Sequence, residues 1–123
     1  AEFLEQYSEV DVILDTWPYS GGLTTCEALA MGVPVVTLTG DRFCGRHATA
    51  HLRAAGQNQW VAVSEQDFVQ IATTLAGDIE SLSEQRRKLR KQTLASPLCD
   101  VAAFSTAFFR TLRDEWQALC ESK

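Results

Sequence analysis

The segment Val10–Leu38, VDVILDTWPYSGGLTTCEALAMGVPVVTL, constrains this chain most, because it sets two short apolar runs on either side of a glycine-bearing loop and a helix-length stretch. Val10, Val12, Ile13 and Leu14 are rich in β-branched residues and are bounded by Asp15 and by the turn chemistry of Pro18, Ser20, Gly21 and Gly22. Such a run suits a strand buried on both faces of a parallel sheet. Thr24 or Thr25 can cap the helix that follows, which carries Glu27, Ala28, Leu29 and Met31. Gly32 and Pro34 end that helix, and Val35, Val36 and Leu38 supply a second buried strand. A strand, a crossover of this length and another strand make a right-handed βαβ unit.

The physics of that unit points to a ligand. The free N–H groups at the start of its helix lie beyond the carboxyl end of the first strand, where open α/β sheets bind ligands. Gly21 and Gly22 let a ligand approach the backbone, since no Cβ intervenes. A helix N-terminus with hydroxyls beside it suits phosphate. Glu27, placed on the first turn, can accept hydrogen bonds from a pair of neighbouring hydroxyls, as acids in dinucleotide folds do with ribose. Phosphate on the loop and ribose on the acid together suggest a nucleoside diphosphate. The pattern is neither GxGxxG nor a Walker motif.

The rest of the chain reads as alternating elements. Residues Ala1 to about Glu9 place Phe3, Leu4 and Tyr7 on one helical stripe. Thr39–Gly45 is a loop at the carboxyl end of the second strand, Arg46–Ala55 a helix closed by Gly56, and Trp60–Val63 a short third strand. Ser64 and Asp67 form an approximate capping box before a helix with Phe68, Ile71, Ala72 and Leu75 inward. Gly77 breaks that helix. Asp78 begins a more charged one to about Leu94, with Ile79, Leu82, Leu89 and Leu94 inward. After Ser96-Pro97, Asp100 starts a last helix whose stripe of Phe104, Ala107, Phe108, Leu112 and Trp116 reads as core or domain contact. The expectation is an α/β fold: part of a Rossmann-like domain with about three parallel strands flanked by helices and a helical C-terminal tail.

Composition excludes several classes. A chain of 123 residues holds one hydrophobic core as a single domain. The net charge of −5 argues against a nucleic-acid surface, and the basic cluster from Arg86 to Lys91 reads as a solvated helix face. No segment is long enough to span a membrane. Cys26, Cys44, Cys99 and Cys120 are scattered without CxxC, so neither zinc nor a disulfide framework is indicated, and a reducing, cytoplasmic compartment fits. The chain opens at Ala1 without Met, inside what reads as a helix, as expected of a fragment. His47 and His51 lie four apart, a chelating spacing that lacks a third ligand. Trp17, Tyr19 and Trp60 read as packing residues before stacking ones.

Taken together, Leu14-Asp15-Thr16, Pro18-Tyr19-Ser20-Gly21-Gly22, Thr24-Thr25-Cys26-Glu27-Ala28-Leu29, Met31 to Leu38 and Ser96-Pro97-Leu98-Cys99-Asp100 resemble the C-terminal end of the family 41 glycosyltransferases. That family includes the O-GlcNAc transferases, the SPINDLY proteins and bacterial relatives, often carried behind tetratricopeptide repeats. The resemblance runs almost the whole length of the chain. It implies a GT-B fold, two Rossmann-like domains facing across a cleft, with residues 1–123 forming the later half of the C-terminal, donor-binding domain.

Carried over by position, Gly21, Gly22, Leu23, Thr24 and Thr25 fall where the family holds the donor diphosphate, Glu27 where an acid holds the ribose, and Arg46 on an arginine near the donor cleft. The animal enzymes have histidine and threonine in place of Gly22 and Leu23, and aspartate in place of Glu27. His47 stands where the family usually has an apolar residue. The resemblance implies inverting, metal-independent transfer from a UDP-GlcNAc-like donor to a protein hydroxyl, with no cofactor beyond the donor. The diphosphate leaving group would be stabilised by the helix dipole and, in the family, by a lysine. That lysine, the base-recognition groups and any general base are expected outside this chain, so the fragment alone is expected to be inactive. Expected partners are the donor, a protein acceptor, the rest of the catalytic region and upstream tetratricopeptide repeats. An unpaired sheet edge invites dimerisation. The alternatives are another GT-B transferase or a sugar-nucleotide epimerase, and, in a different class, a non-catalytic flavodoxin-like interaction module.

Overall fold

The computed structural model describes residues 2–122, with the side chains of Glu2 and Phe3 outside the description; Ala1 and the Phe3 part of the expected N-terminal stripe therefore fall outside the described residues. The chain opens with a short helix α1 (Glu2–Glu5) that tightens into a 3-10 turn, Gln6–Glu9. Three parallel strands, β1 (Ile13–Leu14), β2 (Val35–Leu38) and β3 (Val61–Ala62), lie side by side in chain order. Ile13 pairs with Val35, Leu14 with Val36, Thr37 with Val61 and Leu38 with Ala62. The crossovers carry α2 (Leu23–Ala30) and α3 (His47–Ala54), and α4 (Glu65–Gly77), α5 (Ile79–Leu94) and α6 (Val101–Glu121) follow. Two same-handed crossovers between strands in sequential order place α2 and α3 on one face, and the two helices touch. Helix α4 packs on β2, β3 and α5, and α5 packs on α2.

The core lies around β2, where Val35 and Val36 are buried with Ala28, Leu29 and Val33 from the α2 connection, Leu52 and Ala55 from the α3 region, Trp60, and Leu75, Leu82 and Leu89 from α4 and α5. Phe68, Ile71 and Ala72 pack against this cluster, as their spacing predicts. The helix starts follow their caps. Ser64 Oγ accepts the Asp67 N–H at 3.1 Å, Asp67 Oδ2 accepts the Val63 N–H at 3.0 Å, Asp78 accepts from Ser81 N–H and Asp100 from Ala103 N–H, each at 2.9 Å. The basic cluster on α5 is partly a strap. Arg86 pairs with Asp11 at 2.8 Å, and Arg90 donates to the Ala30 carbonyl at the end of α2 at 2.9 Å.

Several expectations are corrected. The strand β1 is shorter than the Val10–Leu14 run and is not buried on both faces: it forms one edge of the three strands, and Leu14 is 56% exposed. Trp60 belongs to a 3-10 turn, and Val63 lies exposed beyond β3. Leu4 is exposed, while Tyr7 packs on the core. On α5, Ile79 and Leu94, the first and last residues of the helix, are exposed, while Leu82 and Leu89 between them are buried. The stripe on α6 is not core: the helix buries no residue, and its large apolar side chains are 48% to 74% exposed. No described helix is long and apolar enough to cross a membrane.

Candidate functional site at the carboxyl edge of the sheet

The site is built on Asp15, the residue directly after β1. Its N–H extends the ladder to the Val36 carbonyl at 2.9 Å, so the backbone is fixed and the carboxylate projects from the strand end. That carboxylate accepts three short hydrogen bonds: Oδ2 from Ser20 Oγ at 2.7 Å and from Thr37 Oγ1 at 2.6 Å, and Oδ1 from the Gly21 N–H at 2.7 Å. Charge-assisted bonds of this length are strong ones. They draw the end of β2 and the glycine loop onto one carboxylate. Ser20, fully buried, passes the connection on: its Oγ accepts the Ala48 N–H at 2.9 Å, and its own N–H donates to the Cys44 carbonyl at 2.9 Å. The starts of α2 and α3 are thereby held together.

The helix α2 begins differently from the expectation. Gly22 is its N-cap and no side chain caps it; Thr24 and Thr25 lie inside the first turn. Thr25 is buried and its hydroxyl donates to the Gly21 carbonyl at 3.0 Å, so it braces the loop. Thr24 and Leu23 are exposed. Among the described residues, the N–H groups of Gly22, Leu23 and Thr24 have no protein acceptor. The two glycines also differ. A Cβ on Gly21 would lie 3.0 Å from Thr24 Oγ1 and 3.1 Å from Asp15 Oδ1, whereas one on Gly22 would meet nothing within 4 Å. Gly21 is needed for the packing of the loop, and Gly22 opens the backbone to solvent.

Glu27 lies one turn beyond Leu23, on the second turn and not the first. It is half-buried and accepts from the Tyr7 hydroxyl at 3.3 Å. Burial first, then the Glu27 charge and this hydrogen bond, raise the Tyr7 phenol above its ordinary pKa. Burial, with the neighbouring Cys99 and Glu27, likewise pushes the Cys26 thiol up, which keeps it a packing group and not a thiolate. Arg46 stands at the N-cap of α3, exposed, with its Nε donating to the Arg42 carbonyl at 3.2 Å, so it belongs to the neighbouring loop and is not joined to Glu27.

Beside the glycine loop a cleft of about 420 Å³ is lined by Trp17, Pro18, Tyr19, Gly40, Arg42 and Gly45. The Trp17–Pro18 peptide bond is cis. His47 meets the rings of Phe43 and Tyr19 edge-on, at centroid separations of 4.8 and 5.9 Å. It thus joins an aromatic cluster with Tyr19, which lines the cleft. Trp60 is buried in the core, while Trp17 and Tyr19 are exposed. A second cleft of about 340 Å³, between α4 and α5, has Asp78 as its one ionisable lining residue, and that carboxylate already caps α5, so it offers less chemistry.

His51 carries a pH prediction. Burial, then the charge of His47, hold its imidazole below the usual value of 6.5. The unfolded chain therefore binds the extra proton first on acidification. Its contribution to stability is full above about pH 6.5 and is lost as the pH falls through the lower folded value. The urea midpoint is expected to drop between pH 7 and pH 5, and less steeply in His51→Gln. Equal slopes for the two proteins would remove His51 from the cause.

Asp15 and Ser20 are the residues that sequence reasoning passed over, having read them as a strand boundary and turn chemistry. The available signal was Thr37, a hydroxyl inside the apolar run Val35–Leu38, which needs a partner when buried.

The model for glycosyl transferase family 41 matches residues 2–108. A Petunia hybrida protein named "Probable UDP-N-acetylglucosamine–peptide N-acetylglucosaminyltransferase SPINDLY" is 40% identical over 98% of this chain, which covers 13% of that protein. A Caenorhabditis elegans UDP-N-acetylglucosamine–peptide N-acetylglucosaminyltransferase is 33% identical over 87% of the chain and 9% of its own length. Among solved structures, a mutant of the Thermobaculum terrenum O-GlcNAc transferase superposes with a TM-score of 0.87 at 35% identity, over 98% of this chain and 23% of that one. The chain spans about an eighth of the length of the first curated relatives it matches. On the family match, the identity to its members and the shared fold, the chain belongs to glycosyltransferase family 41.

Proposed function

We propose that this chain is the donor-binding part of a glycosyltransferase that moves a sugar from a nucleoside diphosphate, UDP in the first instance, to a hydroxyl of a protein acceptor. One observation carries the reading: a helix start that no described side chain caps, with three N–H groups, Gly22 to Thr24, that have no acceptor among the described residues, on a loop that Asp15 holds, with the carboxylate of Glu27 one turn away. The amides suit a diphosphate, and the carboxylate suits a ribose diol. In an inverting displacement, the C–O bond to the leaving diphosphate breaks as the acceptor hydroxyl attacks the opposite face of the anomeric carbon and gives its proton to a base supplied by the rest of the catalytic region. The negative charge growing on the diphosphate is met by the positive end of α2, without a metal. The relatives, as UDP-N-acetylglucosamine–peptide N-acetylglucosaminyltransferases, supply UDP-N-acetylglucosamine and a peptide as the donor and acceptor to test first. In this reading the chain is the later portion of a GT-B donor domain, completed by the rest of a catalytic region with tetratricopeptide repeats before it, and it works in the cytoplasm.

Calorimetric titration of the intact protein with UDP and with GDP tests this. A carboxylate hydrogen-bonded to the ligand contributes ~1.5–3 kcal/mol, so Glu27→Ala is expected to weaken the preferred nucleotide about tenfold to a hundredfold. Gly22→Val, which meets no protein atom at its Cβ, is expected to keep the fold and weaken the same nucleotide. Wild-type affinity in both variants would sink the reading.

A further inference from the structure

Glu27 is an unusual carboxylate in this chain. It is half-buried and makes no ion pair among the described residues, and the hydrogen bond it is seen to accept comes from a neutral group. That donor is the phenol of Tyr7, twenty residues earlier and on a different element, the turn that leads into β1. The Tyr7 ring packs against the hydrophobic core, so the position of its hydroxyl is set by the fold and not by a free side-chain rotation. The bond engages Oε2. Among the described residues Oε1 accepts nothing.

We propose that Tyr7 is a positioning residue for ligand recognition: it fixes the Glu27 side chain through Oε2 and leaves Oε1 as the acceptor for the ribose hydroxyls of the donor. This rests on the reading of Glu27 as the ribose acid. The choice of donor matters chemically. An arginine or lysine in the place of Tyr7 would neutralise the carboxylate and compete with the ligand for both oxygens. A phenol holds one oxygen and leaves the charge in place, and with it the strength of the remaining acceptor. Holding the glutamate before the ligand arrives also removes rotamer entropy that binding would otherwise have to overcome. The raised pKa of the phenol keeps it a donor throughout the neutral and mildly alkaline range.

The test uses the intact protein, the preferred nucleoside diphosphate and its 2′,3′-dideoxy counterpart, so that the ratio of the two Kd values reads the diol alone. Four proteins are compared: wild type, Tyr7→Phe, Glu27→Ala and the double variant. Tyr7→Phe keeps the ring and its packing and removes the hydroxyl. The wild type is expected to favour the ribonucleotide strongly, and Glu27→Ala to bring the ratio close to one. Tyr7→Phe is expected to reduce the ratio by about threefold to tenfold, the effect of having to order one side chain on binding. The double variant is expected to match Glu27→Ala alone, since positioning has no effect once the carboxylate is gone. A wild-type ratio in Tyr7→Phe beside a collapsed ratio in Glu27→Ala overturns the role of Tyr7 and leaves the ribose reading intact. A lower melting temperature in Tyr7→Phe with an unchanged ratio makes the bond merely structural and also overturns it. An unchanged ratio in Glu27→Ala removes the ribose reading, and the positioning role with it.

Discussion

Replacing Asp15 by alanine is expected to lower stability by ~3 kcal/mol and to abolish nucleotide binding together with it, because three donors lose their acceptor at once. Two of them, the Ser20 and Thr37 hydroxyls, are buried, and a buried polar group left unpaired costs roughly 1–3 kcal/mol. The cost is not a simple sum, since Ser20 also accepts from Ala48 N–H and keeps that bond. The third donor, the Gly21 N–H, ties the loop to the strand end, and its release frees the backbone that the proposed diphosphate must find in place. Asp15→Asn is expected to be milder, because its amide oxygen can still accept from Gly21 and its NH2 can donate to a hydroxyl that turns round. Urea unfolding and nucleotide titration of both variants check this. The informative contrast is with Glu27→Ala, which should lose affinity at nearly wild-type stability. An Asp15→Ala protein as stable as the wild type would show that the carboxylate does not organise the loop.

The contrast between Asp15 and Glu27 also marks what can be read from a sequence of this kind. Glu27 stands out in the sequence as a candidate ligand group because that signal is local: an acid shortly after a glycine loop at a helix start. Asp15 does not, because its partners are brought to it by strand pairing, and Thr37 lies 22 residues away. The same division runs through the fold. The central strand Val35–Leu38, the left-handed Gly32 and Gly56 and the caps Ser64, Asp78 and Asp100 are local signals, and all appear where the residues place them. The lengths of β1 and β3, and the outward faces of Ile79 and Leu94, depend on what lies across from them. Helix α6 is the extreme case. Its stripe of Phe104, Phe108, Leu112 and Trp116 has the spacing of a buried face, yet no element of the described chain covers it. Periodicity reports that a face is apolar; it does not report which surface receives it.

Gly32 offers the second large effect, and one whose parts can be separated. It follows the last turn of α2 with φ +76°, a conformation that costs a residue with a side chain ~1–2 kcal/mol. It also sits against α5: a Cβ there would lie 2.9 Å from the Arg86 carbonyl oxygen, a backbone atom that cannot swing aside. Gly56 supplies the control, with φ +74° and nothing within 4 Å of its added Cβ. Gly56→Ala should therefore carry the conformational cost alone. Gly32→Ala should carry it together with a displacement of α5, whose Arg86 and Arg90 fasten it to Asp11 and to the end of α2. The expected losses are ~1–2 kcal/mol for Gly56→Ala and at least ~1 kcal/mol more for Gly32→Ala, measured by urea unfolding of each protein. Because Leu82 and Leu89 of α5 belong to the core that surrounds β2, the displacement should reach the sheet and loosen the Asp15 network at its far edge. Equal losses in the two variants would mean that α5 yields freely to the added methyl group, and that the close approach of α2 and α5 does not hold the core in place.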